Sequence, residues 1–302
     1  MMPCTMTLKL SHPARTPGYP QTGMEAAYPD SMSKNLVFIV LDSCRYDSYA
    51  AAKRPNMDKL GLGLKRYSYA SWTSPSHYTY LMGMIPHESP QGVFASEVYK
   101  KEFTRWVDRL GVPDLSFKSF VPQLSLPHVL QENGYRTVAK VSLPVLNPFS
   151  HLNKHFDDYK LMASHNDFAG MVKEIEFDES EPSFFFLNIG ETHYPYMLDP
   201  KSLPHISGVH GVFKRMDDDL GQATQDKFFD DAQMKDLHRQ QIKTVEYVDG
   251  VLDGLIAKAP KGTHFIITAD HGECFGESGY FGHGPIVHEK VLEVPFLEGV
   301  KA

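Results

Sequence analysis

Four short stretches of the 302-residue chain bring together side chains able to bind a cation or carry a transferred group. Residues 264–284, HFIITADHGECFGESGYFGHG, place Asp270 and His271 after an apolar run and add His283 between two glycines. Residues 35–41, NLVFIVL, lead into Asp42, and residues 183–189, SFFFLNI, lead into Glu191 and His193. Residues 70–86, ASWTSPSHYTYLMGMIP, carry Thr73 ahead of Ser74-Pro75-Ser76. Carboxylate and imidazole donors suit zinc, manganese or similar divalent ions, and carboxylates also accept calcium or magnesium. A hydroxyl on such an ion is acidified as bound water is, from about 15.7 towards about 7. Two ions about 4 Å apart would stabilise both the attacking and the leaving oxygen of a phosphoryl transfer. The cofactor expectation is therefore one or two divalent metal ions.

Singly, each residue has a plainer explanation. Asp42 could cap the next helix, and Thr73 or Ser74 could be an N-cap. The acidic cluster Asp217–Asp219 reads as solvated. It is the joint placement that points to chemistry. Continuous apolar runs suit strands buried on both faces of a parallel sheet, and ligands in such sheets gather outside the carboxyl ends.

The remaining pattern supplies the helices. Met234, Leu237, Ile242, Val245, Val248, Leu252, Leu255 and Ile256 recur at helical steps across residues 230–259. Residues 55–60, PNMDKL, open a helix with proline, another helical pattern begins near Tyr49, and a helix is expected from Pro75 or Ser76. Leu124–Asn133 reads as a helix closed by Gly134, followed by a strand over 135–142 and a last strand over 291–297. Residues 88–118 are weakly periodic, residues 197–228 read as a surface excursion, and there are no internal repeats.

Composition sets the class. Hydrophobic residues make up 42% and charged residues 22%, as in ordinary globular proteins. The net charge of −7, with no basic cluster, argues against a nucleic-acid surface. No run approaches the roughly 18–20 apolar residues of a membrane span. Three cysteines (Cys4, Cys44 and Cys274) make no disulfide framework, so a reduced, cytoplasmic setting is expected, with Cys44 and Cys274 as buried thiols. Residues 1–33, rich in Pro, Ser, Thr and Tyr, read as a flexible arm, with later natural starts open at Met24 and Met32, and 34–302 as one α/β domain.

The order of motifs resembles the sulfatase-like branch of the alkaline phosphatase superfamily. NLVFIVLDSCRYDSY, PNMDKL, YASWTSPSHYTYLMGMIP, LQENGYRTVAKVS, FFFLNIGETHYPY, EYVDGVLDGL, TADHGECFGESGYFGHG and EKVLEVPFLEG carry the likeness over roughly residues 35–299. It implies a mostly parallel central sheet with helices on both faces, without the C-terminal subdomain of many sulfatases. It also implies that Asp42, Asp270 and His271 hold a metal with Thr73, the nucleophile. His193 and His283 match histidines that bind a second metal or the substrate's oxyanion. Lys140, Arg45 and Glu191 become candidates for contacting the substrate, Glu191 also as a ligand or a partner of one, while Arg45 could equally pair with Asp47.

Three departures direct the reading. Thr73 stands where true sulfatases carry Cys or Ser for oxidation to formylglycine; His77 stands for an arginine, and Ser43 for a second aspartate. A formylglycine hydrate expels sulfate by collapsing to an aldehyde, and threonine has no second hydroxyl for that. The reading is a metal-dependent hydrolase of phosphate or phosphonate esters acting through phospho-Thr73 on a small-molecule ester. Alternatives are transfer to a small alcohol, sulfate-ester hydrolysis, or a degenerate binding domain. No membrane or nucleic-acid partner is expected, and a homo-oligomer is left open.

Overall fold

The computed structural model describes residues 34–83, 125–153, 155–199, 203, 213–214, 229–284 and 286–302. The arm over 1–33, the stretch 88–118, the Asp217–Asp219 cluster and most of the 197–228 excursion lie outside these residues.

The three apolar runs are adjacent strands. β1 (Leu36–Leu41) lies parallel between β5 (Ser183–Ile189) and β7 (His264–Thr268), with Val37 opposite Phe185 on one side and Phe265 on the other. Beyond β5 come β3 (Arg136–Val141) and β4 (Asp158–Leu161), also parallel. Beyond β7, β10 (Glu293–Val300) runs antiparallel, and β2 (Leu64–Tyr67) closes that edge. The seven-stranded order is β2-β10-β7-β1-β5-β3-β4.

Successive side chains leave a strand on opposite faces, and both faces here are covered. Val37, Ile39, Leu41, Phe185 and Leu187 pack with Val245, Val248 and Leu252 of α6 (Asp231–Lys258). Phe38, Val40, Phe184 and Phe186 pack on the other side with Leu81 and Met82 of α3 (Thr73–Met82). This explains why β1 and β5 read as unbroken apolar runs: neither face meets water. Each large aliphatic or aromatic side chain so buried stabilises the fold by about 1.5–3 kcal/mol before entropy is counted.

α6 opens on a capping box, Asp230 accepting from the Gln233 N–H while the Gln233 side chain accepts from the Asp230 N–H. Buried Asp249 of α6 caps another helix, accepting from the N–H groups of Asn56 and Met57 at the start of α2 (Pro55–Leu60). A second, three-stranded sheet joins β6 (Phe213–Lys214), β9 (Tyr280–Gly282) and β8 (Cys274–Phe275). Beside it, Tyr196, Phe229, Met234, Leu237 and Phe281 form a separate apolar cluster.

The structure departs from the sequence pattern in several places. α1 spans Tyr46–Ala51, earlier than expected. α3 begins at Thr73 rather than at Pro75 or Ser76, with Trp72 as N-cap; Pro75 falls in the first turn, where no N–H is required. The final strand begins at Glu293, because residues 289–292 form a helical turn first. β2 was not anticipated: all four of its residues are exposed, so it shows no apolar alternation.

Candidate metal centre

The carboxyl ends of β1 and β7 deliver the first three groups. Asp42 follows Leu41 directly, and its backbone N–H bonds to the Ile189 carbonyl at 2.9 Å. Ser43 then takes a left-handed conformation, φ 59°, which turns its N–H onto Asp270 Oδ1 at 3.0 Å. The His271 N–H donates to the same oxygen at 3.0 Å. The chain can turn after His271 because residue 272 is glycine: a Cβ there would lie 2.3 Å from the Lys290 carbonyl oxygen.

One donor atom each from Asp42, Asp270 and His271 lies within 4.8 Å of the others, and all three residues are fully buried. His271 Nδ1 donates to the Gly272 carbonyl at 2.9 Å, so its Nε2 carries a lone pair. That nitrogen sits 3.3 Å from Asp270 Oδ2, an oxygen with no hydrogen-bond partner among the described residues, and 3.4 Å from Thr73 Oγ1. A lone pair facing an orphaned carboxylate oxygen is poor design for a protein alone and good design around a cation. Burial, with the charge of Asp270 second, raises Asp42 to about 6, and burial raises Asp270 to about 7. Burial also lowers His271 to about 4. The pocket thus penalises two carboxylates until a positive charge compensates them. Two carboxylates, a neutral imidazole and a hydroxyl fit a divalent cation.

A second group adjoins the first. The His283 ring lies 4.2 Å from that of His271 and 5.3 Å from that of His193, centroid to centroid. His193 Nδ1 donates to the Tyr194 carbonyl at 2.8 Å, placing its proton on that nitrogen. His283 Nδ1 lies 3.4 Å from Ser43 Oγ and 3.6 Å from Glu273 Oε2.

The other three candidates each have protein partners in the fold. Lys140, two residues from Val138 in β3, shares its α6 side of the sheet, where Nζ bonds Glu174 at 2.8 Å. Arg45 lies over the Phe275 ring and pairs with Asp47 at 2.5 Å and Glu277 at 2.6 Å. Glu191 turns away to accept from the N–H of Phe168, the first residue of α5 (Phe168–Glu174), at 2.6 Å. The partners of Lys140 and Glu191 lie 34 and 23 residues away, whereas Arg45 has Asp47 two residues on and Glu277 232 residues away.

Several contributors escaped the sequence reading. Asn188, inside the apolar run of β5, donates to Asp42 Oδ2 at 2.9 Å. Glu273 is fully buried; its Oε1 accepts from Tyr196 Oη at 2.6 Å and from Gln241 at 3.1 Å. Gln241 of α6 also donates to the carbonyls of Ser43 and Thr192, tying together the turns after β1 and β5. Its signal was available: it occupies the buried stripe between Leu237 and Val245, where an amide is out of place. Cys44 and Cys274 are free and buried, with burial raising the Cys274 thiol to about 12.

A mixed, mainly parallel sheet thus carries acidic and imidazole donors at its carboxyl edge, a candidate site for a cation. The sulfatase family model matches residues 34–297, and the chain belongs to that family. No protein of curated function matches it. Among solved structures, the C-terminal periplasmic domain of phosphoethanolamine transferase EptC from Campylobacter jejuni superposes with a TM-score of 0.54. It is 13% identical over 89% of this chain and 80% of its own. The corresponding EptC domain of Escherichia coli gives 0.55 at 14% identity, covering 90% and 74%. The putative sulfatase yidJ from Bacteroides fragilis gives 0.56 at 17%, covering 91% and 70%. At these identities the likeness establishes the fold. The EptC domains are periplasmic, which departs from the cytoplasmic setting expected here; among the described residues no helix is long and apolar enough to cross a membrane.

Proposed function

We propose that the chain hydrolyses phosphate or phosphonate esters of small molecules through a phospho-Thr73 intermediate. The observation that carries this reading is the position of Thr73 Oγ1, 3.4 Å from His271 Nε2 in the first turn of α3. Thr73 and Ser74 have backbone N–H groups in that first turn, where the helix has no internal acceptors for them and anions are favoured. In the first step Thr73 Oγ1 bonds to phosphorus as the ester oxygen leaves. In the second, water attacks phosphorus and returns the threonine hydroxyl. A bound divalent ion, zinc or manganese by donor type, would supply Lewis acidity for both steps. Asp42, Asp270, His271 and Thr73 would hold it, while His193 and His283 contact phosphoryl oxygens or a second ion.

A second reading replaces water by an alcohol in the second step. The structural likeness to a protein described as a phosphoethanolamine transferase favours keeping it beside hydrolysis. One assay series tests both. Purified protein is supplied in turn with Zn²⁺, Mn²⁺, Mg²⁺ and Ca²⁺ and offered nitrophenyl phosphate mono- and diesters, a phosphonate ester and a sulfate ester, with and without added alcohols. Turnover of phosphorus esters, and a phosphate adduct on Thr73 by mass spectrometry, are expected. Efficient sulfate-ester turnover with phosphorus esters untouched overturns the proposal.

A further inference from the structure

Asp42 presents two carboxylate oxygens, and they have different neighbours. Oδ1 accepts from Ser43 Oγ at 3.3 Å, on the side of His283. Oδ2 accepts from Asn188 Nδ2 at 2.9 Å. The orientation of the Asn188 amide is fixed by its other end, since Oδ1 accepts from the Ser142 N–H at 3.3 Å. A flipped amide would put an NH₂ against that N–H and an oxygen against a carboxylate, two repulsions in place of two bonds. The second Nδ2 hydrogen points to His77 Nε2 at 3.5 Å. His77 can accept there because its own proton is on Nδ1, donating to the Thr73 carbonyl at 2.8 Å. Asn188 and His77 are completely buried, and His77 is packed edge-on against Phe186 and Tyr80. A polar chain therefore runs from the backbone of Thr73 through His77 and Asn188 to Asp42.

We infer that Asn188, braced by His77, is the positioning residue of the metal centre: it occupies Asp42 Oδ2, fixes the carboxylate rotamer and turns Oδ1 towards the cation. The inference rests on the proposed metal-dependent reading and names what sets its geometry. The same chain makes the placement of Asp42 depend on the turn that carries Thr73, because His77 reports the position of the Thr73 carbonyl to the amide. Asn188 in an otherwise apolar strand has no packing explanation: Phe184 and Phe186, its neighbours on the same face, belong to the apolar core.

Zinc affinity of the full chain, measured by calorimetry against a competing chelator, tests this. Asn188→Ala should weaken zinc binding about 10–100-fold, the usual effect of losing a hydrogen-bond partner of a metal ligand. Melting of the cation-free protein should change far less than the zinc-induced rise in melting temperature. Asn188→Leu, which fills the same space with an apolar side chain, should give the same loss and guards against a cavity artefact. His77→Phe keeps the ring packing and should give a smaller loss. Combined with Asn188→Ala, it should add little, since both act along one chain. Wild-type zinc affinity in both Asn188 variants, with affinity lost in Asp42→Asn, overturns the inference alone. Unchanged affinity in Asp42→Asn overturns the metal reading beneath it. Full additivity of His77→Phe and Asn188→Ala removes His77 from the chain.

Discussion

Asp42, Asp270 and His271 lie within three residues of the ends of β1 and β7, two neighbouring strands in the middle of a seven-stranded sheet. His193 and His283 come instead from the turn after β5 and from just past the end of β9, the middle strand of the small sheet. The inner group inherits its spacing from strand register, which cannot slip without turning every apolar side chain to the wrong face. The outer pair depends on side-chain supports: Glu273 beside His283, with Tyr196 and Gln241 holding Glu273. A rigid inner site and a separately supported outer site suit a division of labour, with the covalent step on the inner group and recognition of phosphoryl oxygens on the outer.

The comparison is tested most severely at Thr73. Thr73→Ala should abolish turnover, a loss on the order of 10⁴–10⁶-fold by analogy with other nucleophile deletions, while the melting temperature stays close to that of the parent. Thr73→Ser should retain measurable activity. Full activity in Thr73→Ala ends the assignment. His193→Ala and His283→Ala should cost less, about 10²-fold each, without removing the cation held by the inner group. If either variant loses that cation as completely as Asp270→Asn does, the two halves are one site and the contrast fails.

Stability against pH sharpens the contrast from another side. Asp42 and Asp270 titrate at about 6 and about 7 in the fold, above their ordinary value of 3.8, because burial opposes their charge. The cation-free fold therefore holds protons that the unfolded chain has released. Stability from this source is present below about pH 4 and is lost as pH rises through 6–7. Glu273, raised by burial to about 7, and Glu191, also to about 7, act in the same sense. Thermal unfolding in a chelator should show melting temperature falling by a few degrees between pH 5 and 8, and a saturating divalent cation should reverse much of the fall. Equal slopes with and without cation would mean that the aspartates are not its ligands.

The inner group was legible because its signal is local. An apolar run that stops at Asp42 or at Asp270-His271 announces both a buried strand and what its end carries. β2 was illegible for the converse reason, since an exposed edge strand such as LKRY has no face to alternate. Asn188, His77 and Gln241 act through contacts 146, 111 and 198 residues away, which periodicity cannot register. The fold could be read from which residues are apolar; much of the wiring of the site resides in which polar residues interrupt them.

The smallest expected effect concerns Lys140, which separates a reading by analogy from one by geometry. The family likeness would place it near the ester. In the fold its ammonium pairs with Glu174, which also pairs with Lys160 at 2.5 Å. Lys140→Met preserves the buried stem and removes only the charge, and Glu174 keeps Lys160. The pair is partly exposed through Glu174, so its loss should cost at most about 1 kcal/mol, read as a small drop in urea midpoint. Turnover should stay within about twofold, since 1.36 kcal/mol of lost transition-state binding would already show as tenfold. A tenfold or larger fall in kcat/KM with unchanged stability would mean that Lys140 leaves Glu174 when substrate binds. The α6 side of the sheet would then have to open towards the site, and the rigid inner frame would be the wrong picture.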